Sequence, residues 1–351
     1  MKILGIESTC DETAAAIVQD GYKLLSNVVH SQIDIHSVYG GVVPEVAARS
    51  HLEYINPVVN QALEEAGLGW QDIDAISVSY APGLIGSLLV GNLSASTLAL
   101  IKDKPLYPVH HVEAHVYANF IVDSLSRQPE FPMLALIVSG GHSQLVLFKD
   151  HGDFELLGQT QDDAVGEAFD KVAKIIGLPY PGGPSIAQAA LDGDPTAYKL
   201  PKAKLQGDFD FSFSGLKTAV LRAVQREVGV DLDFPSHQLA GRLDDRTRAN
   251  FAASFQRIAV ETLVDTTKRA FDAYSPKSVV IAGGVAANQE LRRVLSERLP
   301  IDIQYAPMNL CTDNAAMVAS LGYFKAQKTA PTDPLDAEVI PSLSMSKTSW
   351  A

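Results

Sequence analysis

Apolar residues along this chain come in two rhythms, each predicting a different element. Short unbroken apolar runs bounded by turn residues read as buried strands; longer stretches with apolar positions three and four apart read as helices. "MKILGIE" and "TAAAIVQDG" are two such runs around a polar turn, predicting a strand pair that closes at Asp20-Gly21. "VPEVAARSHLEYINPVVNQALEEAGLG", from Val43, predicts a helix with a break at Pro57 and a stop at Gly67. "IDAISVSYAPG" reads as a strand entering a glycine turn, and "SLLVGNLSASTLALI" has helical spacing. "PMLALIVSGGHSQLVLFKDHG" reads as strand, tight turn, strand. In "DDAVGEAFDKVAKIIG", Val165, Ala168, Phe169, Val172, Ala173 and Ile176 share one helical face, and Gly177 caps it. "SVVIAGGVAANQELRRVLSERL" predicts a strand, a glycine loop and a helix. The alternation predicts a mixed α/β fold.

One pattern recurs. "ILGIESTCDETAAAIVQDG" and "LALIVSGGHSQLVLFKDHG" both run strand, Ser-containing turn, strand, closing Gly, with Ser8 over Ser139 and Gly21 over Gly152. Two hairpins can look alike for no reason beyond being hairpins. Duplication is the sharper reading: each copy opens with a hairpin whose turn faces a shared cleft, where a phosphate ligand meets backbone N–H groups. The stretch from Asp192 to Asp245, rich in Lys, Asp, Pro and Gly, reads as an insertion. Its Lys199, Lys202, Lys204, Arg242, Arg246 and Arg248 form a local basic concentration, read first as solvated surface and second as a nucleic-acid contact.

Composition narrows the class. The 351 residues, 46% hydrophobic and 20% charged, suit two average domains or one large α/β unit. No apolar run approaches the ~20 residues of a membrane span, and the first residues turn polar too soon for a secretory signal. Cys10 and Cys311 are the only cysteines, so a disulfide framework is not expected and a reducing cytoplasm is. A net charge of −13 argues against unaided non-specific binding to nucleic acid.

Candidate chemistry lies in three places. Glycine turns at Ser139–His142, Tyr180–Ser185 and Ala282–Asn288 let backbone approach an anionic ligand, although none has a Walker or G-x-G-x-x-G pattern. Acidic candidates are Asp11 and Glu12 in the first turn, Asp170, and Asp313. Asp170 reads first as a partner of Lys171 or Lys174. Asp313 stands close before "AAMVASLG" and reads as a helix N-cap, a role compatible with metal ligation. "YPVHHVEAHVYANF" holds His110, His111 and His115. These are core or surface groups, or ligands; His111 and His115 share a helix face, while His110 is rotated by about 100°. In an H-E-x-x-H protease Glu follows the first His, but here Val112 does, and Glu113 points away from the pair.

"GIESTCDET", "HHVEAH", "LIVSGGHSQL", "DDAVGEAFDKVAKIIGLPYPGGP", "FSFSGLKTA", "AGGVAAN" and "CTDNAAMVA" occur in an order and spacing that resembles the TsaD family. These are the tRNA N6-adenosine threonylcarbamoyltransferases, formerly described as glycoproteases. The resemblance runs from Met1 to about Lys325. It implies an α/β fold of two duplicated ribonuclease-H-like domains, of the actin, sugar-kinase and chaperone-ATPase superfamily, around a central cleft. One domain would take residues 1–130 plus about 314–351, the other 131–313 with an insertion at about 192–245.

The resemblance also implies roles. His111, His115 and Asp313 would bind one divalent metal ion per subunit, iron(II) or zinc. Ile137, Val138, Ser139, Gly140, Gly141 and His142 would form a ligand-binding turn, with Asp170, Gly183 and Asn288 at the adenosine part. Ser8, Asp11 and Glu12 would face the reacting end, with Asp11 or Glu12 assisting removal of the N6 proton. The implied reaction moves the threonylcarbamoyl group of threonylcarbamoyl-AMP to N6 of adenosine 37 in tRNAs reading codons that begin with A. Implied partners are tRNA, a smaller paralogous TsaB-like subunit and a TsaE-like ATPase, in the cytoplasm and without a membrane. The rival readings are a metalloprotease and a nucleotide-binding chaperone or regulatory subunit without chemistry of its own.

Overall fold

The computed structural model describes residues 1–122, 128–347 and 350. Its chain forms two compact units: Met1–Phe131 with Phe148–Glu155 and Gln304–Ala351, and Pro132–Leu147 with Leu156–Ile303.

The first unit is built on β1 (Lys2–Glu7), β2 (Glu12–Gln19), β3 (Lys23–Ser31), β4 (Ala75–Ala81) and β5 (Leu106–His110), in spatial order β3-β2-β1-β4-β5. β1 runs antiparallel to β2, with Glu7 opposite Ala14, and parallel to β4, which is parallel to β5. The central strands bury residues on both faces, so they appear in sequence as unbroken apolar runs and not as alternation. A short α1 (Ile33–Ser37) precedes α2 (Pro44–Ala66), which packs Ile55, Val58, Val59, Ala62 and Leu63 into the core with Leu4, Ile6 and Ile76. α2 ends at Gly67 in the left-handed conformation, as expected. It does not break at Pro57. That residue is on the solvent face, where the carbonyl left without an N–H partner can be hydrated, and packing of the opposite face carries the helix through.

α3 (Ile85–Lys102) is long and apolar enough to cross a membrane by length and composition alone, but its Ala95 and Ala99 belong to the same core. α4 (His111–Tyr117) starts where β5 stops, so His110 is the last strand residue and not part of the helix. α10 (Ala315–Ala326) closes the unit against β1. Their approach depends on Gly5: a Cβ there would lie 2.3 Å from the Ala315 carbonyl oxygen and 2.7 Å from the Ala319 nitrogen.

The second sheet contains β6 (Met133–Val138), β7 (Ser143–Asp150), β8 (Asp153–Gln159), β9 (Ser278–Ala282) and β10 (Ile303–Tyr305), in spatial order β10-β9-β6-β7-β8. Numbered within each sheet, both orders read third, second, first, fourth, fifth. Duplication of the topology, expected from the recurring hairpin, is therefore present. Ser8 and Ser139 each directly follow the first strand of their sheet. The helices of this unit are α5 (Val165–Ile176), α6 (Gly182–Ala190), α7 (Ser214–Glu227), α8 (Asp245–Tyr274) and α9 (Gln289–Arg298). All six residues of the expected α5 face are buried, and Gly177 caps that helix.

The stretch 192–245 contains α7, which buries Leu216, Val220 and Val224. Three of the six residues in its basic concentration, which runs just beyond it to Arg248, are engaged by the protein itself. Lys202 pairs with Glu261 and Asp265, Arg248 donates to the Ile176 carbonyl and pairs with Asp245, and Arg242 lies over the Phe234 ring. Lys199, Lys204 and Arg246 are exposed.

Candidate metal centre and glycine-turn site

In the first unit, functional side chains collect at the carboxyl ends of the parallel strands β1, β4 and β5, where α/β sheets commonly bind ligands. The switch from β5 into α4 puts His111 on the first turn of the helix and His115 one turn later. Asp313 comes from the segment that leads into α10. Its oxygen Oδ1 lies 3.1 Å from His115 Nε2 and 3.7 Å from His111 Nε2, and one ligand atom from each residue falls within 4.8 Å of the others. The two imidazoles meet nearly edge to face. Asp313 is not the helix cap: Asn314 is, its side chain accepting from the Met317 N–H. The carboxylate of Asp313 thereby faces the histidines.

These donors fit a metal ion. Both histidines are buried, and neither ring nitrogen of His115 has a hydrogen-bond partner among the described residues despite the 3.1 Å approach of Asp313. A buried imidazole without a partner loses its hydration uncompensated, and a cation at the convergence point would restore a partner for its lone pair. Two imidazoles and a carboxylate suit iron(II) and zinc.

Residues that sequence reasoning passed over surround this trio. Glu7, fully buried at the end of β1, accepts from His111 Nδ1 at 3.0 Å, from Ser79 Oγ and, through its other oxygen, from the Thr9 N–H at 2.6 Å. Burial alone would raise the Glu7 carboxyl, but His111 outweighs it and holds it below the usual range. Burial likewise opposes charge on His111, yet Glu7 and Asp313 push it up to about 9. His51, on α2, bridges Thr13 Oγ1 and the Cys10 carbonyl and so braces the turn after β1. Burial lowers its pKa, favouring the neutral ring, which can donate to the Cys10 carbonyl and accept from the Thr13 hydroxyl.

That turn carries Asp11 and Glu12. Glu12 accepts from Ser31 Oγ, and burial, then Asp313, then Asp11, push it up to about 10. The Cys10 thiol is pushed up strongly by burial and neighbouring carboxylates, so it is not a poised nucleophile. Ser8 Oγ donates to the Ser87 carbonyl, which makes it a brace of the turn against α3. His110 is directed elsewhere, to the Leu343 carbonyl, and Glu113 accepts from the Trp350 indole N–H at 3.1 Å. Neither joins the trio. Val112, where an H-E-x-x-H protease has its base, is a buried core residue.

In the second unit two of the glycine turns follow the carboxyl ends of β6 and β9, and the third, Tyr180–Ser185, leads from α5 into α6. The Ser139–His142 turn is closed by the Ser139 N–H bonding to the His142 carbonyl and the His142 N–H to Ser139 Oγ. Ile137 and Val138 bury their side chains completely, leaving only backbone to offer a ligand. Gly140 and Gly141 are exposed, with open space where a Cβ would stand. Gly283, at φ +88°, passes so close to Val138 that a Cβ would sit 2.5 Å from its carbonyl oxygen. Asp170, on α5, takes neither Lys171 nor Lys174 as hydrogen-bond partner. It accepts from the Gly182 N–H at the start of α6, while Lys171 pairs with Asp163 and Glu167. Burial raises the Asp170 carboxyl. Gly183 follows with open space beside it, and Asn288 caps α9 while donating to Gln256. Exposed backbone at two glycines, a half-buried carboxylate and an amide are groups of the kind that bind a nucleoside or its phosphate.

Comparison with known proteins finds relatives along most of the chain. The family model described as "TsaD: tRNA N6-adenosine threonylcarbamoyltransferase" matches residues 23–320. A relative from Symbiobacterium thermophilum with the name tRNA N6-adenosine threonylcarbamoyltransferase is 51% identical over 346 residues, covering 98% of this chain and 96% of its own. One from Thermomicrobium roseum with the same name is 50% identical over 350 residues, covering 97% and 95%. Among solved structures, T. kodakarensis HypF superposes with a TM-score of 0.60 at 14% identity, over 93% of this chain and 48% of that one. Component A of the Acidaminococcus fermentans (R)-2-hydroxyglutaryl-CoA dehydratase gives 0.51 at 16% identity, over 93% and 100%. At such identities the likeness to these two is one of fold alone.

Proposed function

The chain belongs to the TsaD family, whose members are transferases, and from this we propose that it transfers the threonylcarbamoyl group of threonylcarbamoyl-AMP to N6 of adenosine 37 in tRNAs reading codons that begin with A. The observation that carries the chemical part is the convergence of His111, His115 and Asp313 within 4.8 Å, beside a turn bearing Asp11 and Glu12.

The reaction is acyl transfer from a mixed anhydride. N6 attacks the carbamoyl carbon, the bond from that carbon to the phosphate oxygen breaks, AMP leaves with the bonding pair, and one N6 proton must be removed. An adenine amine is a poor nucleophile, so charge developing on the acyl and phosphate oxygens has to be stabilised. His111, His115 and Asp313 would hold one divalent ion, iron(II) or zinc, which when bound supplies Lewis-acid polarisation of a ligand oxygen. Removal of the N6 proton is assigned to Asp11 or Glu12, the two carboxyl groups of the turn after β1. Recognition of the adenosine part is assigned to the Ser139–His142 turn, Asp170, Gly183 and Asn288. In that turn Ile137 and Val138 contribute only through backbone.

A net charge of −13, with Lys202, Arg242 and Arg248 engaged by the protein, supports reliance on partners for tRNA. The partners proposed are a smaller paralogous subunit and an ATPase, and the compartment is the cytoplasm. The test is incubation with threonylcarbamoyl-AMP and unmodified tRNA, with and without those partners, followed by mass analysis of the digested nucleosides. The modified nucleoside is the expected product. Its absence in every combination would refute the proposal, and chelator-sensitive peptide cleavage would replace it with the protease reading.

A further inference from the structure

We propose that Glu7 is the positioning residue of the metal centre: it holds His111 with Nδ1 protonated and Nε2 presented to the ion. This rests on the reading of His111, His115 and Asp313 as a metal centre and assigns that centre a further residue.

Glu7 closes β1 with no solvent exposure, and three donors from three parts of the fold converge on its carboxylate. His111 Nδ1 comes from α4, Ser79 Oγ from β4, and the Thr9 N–H from the turn after β1. A carboxylate can only accept, and a neutral imidazole carries a single N–H. In the neutral ring that metal ligation requires, the proton is therefore held on Nδ1, and the lone pair falls on Nε2, the nitrogen that stands 3.7 Å from Asp313. Thr9 Oγ1 also lies 3.2 Å from Nδ1, but a hydroxyl can donate or accept and does not choose a tautomer. His115 has no such orienting partner: neither of its nitrogens is hydrogen-bonded among the described residues. The two histidines are thus unequal: a carboxylate behind Nδ1 orients His111, whereas the one carboxylate beside His115 among the described residues is that of Asp313, on the Nε2 side. A carboxylate behind a metal-binding imidazole fixes its orientation and raises its basicity.

Glu7→Gln tests this with little change of volume. If the amide oxygen stays with the Thr9 N–H, the NH2 group faces Nδ1 and forces the proton to Nε2. If the oxygen turns to His111, two donors oppose each other at Thr9. The first withdraws the aimed lone pair, and the second keeps it only against a buried donor–donor clash, which disfavours it. With zinc(II) as the probe and a competing chelator, E7Q is expected to bind about tenfold or more weakly, the range for orienting partners of metal ligands. A smaller loss overturns the proposal. A second measurement needs no variant: in zinc-loaded wild-type protein, long-range 1H–15N correlation should show His111 coordinated through Nε2, with a protonated, slowly exchanging Nδ1. Coordination through Nδ1 would also overturn it. Zinc binding that is absent from the wild type, or unchanged in His115→Ala, removes the metal-centre reading itself and the role of Glu7 with it.

Discussion

Replacing Gly5 by alanine should damage a site to which Gly5 contributes no functional group. The added Cβ would stand 2.3 Å from the Ala315 carbonyl oxygen, 2.7 Å from the Ala319 nitrogen and 2.9 Å from the Ala319 Cβ. Ordinary contact begins at 3.4 Å, so the shortfall exceeds 1 Å. Two of the opposing atoms are backbone of α10, which cannot rotate aside, so the helix must retreat as a body by about 1 Å. Overpacking of this kind costs about 1–3 kcal/mol. The retreat also displaces the segment entering α10, which holds Asp313 3.1 Å from His115 Nε2. A misplacement of about 1 Å at a reacting centre typically costs about a hundredfold in rate. Urea unfolding measures the first effect, and zinc titration with single-turnover transfer measures the second. Gly215→Ala is the control for stability. Nothing lies within 4 Å of the added methyl on α7, and alanine should leave stability unchanged or raise it by up to ~1 kcal/mol. Unfolding of G5A within about 0.5 kcal/mol of wild type, together with unaltered zinc affinity, would refute the role given to that packing.

Four further outcomes can be checked. Glu113 is pushed up to about 7 by burial against an ordinary 4.5, so the folded chain keeps a proton that the unfolded chain releases, and stability falls as pH rises from about 4.5 through 7. E113Q should lose that slope in pH-dependent thermal melts; an identical slope would assign it to other groups. Chelator should lower the melting temperature of metal-loaded wild-type protein and leave His115→Ala unmoved, since an ion stabilises only the state that binds it. Asp170→Asn should weaken AMP binding about tenfold or more by calorimetry, on the scale of a hydrogen bond to a charged group, without lowering the melting temperature appreciably. Filter binding should find weak, salt-sensitive tRNA affinity for the chain alone, and tight binding at physiological salt would contradict the charge argument.

Local rules carried far in this sequence. The spacing of Val165, Ala168, Phe169, Val172, Ala173 and Ile176 determined the buried face of α5, because a helix brings residues three and four apart to one side. The recurring hairpin pointed to a duplicated unit, since the same local pattern was written twice, and the shared strand order of the two sheets agrees with it. The spacing of His111 and His115 marked them as a pair for the same helical reason. Local rules also misled: Pro57 should stop a helix, and the packed opposite face of α2 overrides it. Asp313 looked like a cap, and its neighbour Asn314 took that position.

What only the tertiary structure decided is how residues distant in the chain meet. Glu7 is written as the polar end of an apolar run, and nothing local tells a strand terminus from an acceptor for His111. That bond requires β1, β4 and β5 to lie side by side with their carboxyl ends level. Asp313 reaches the histidines because α10 settles against β1 at a glycine. Sequence periodicity specifies which face of an element is apolar; the distance between two side chains is set by how closely the backbones beneath them can approach.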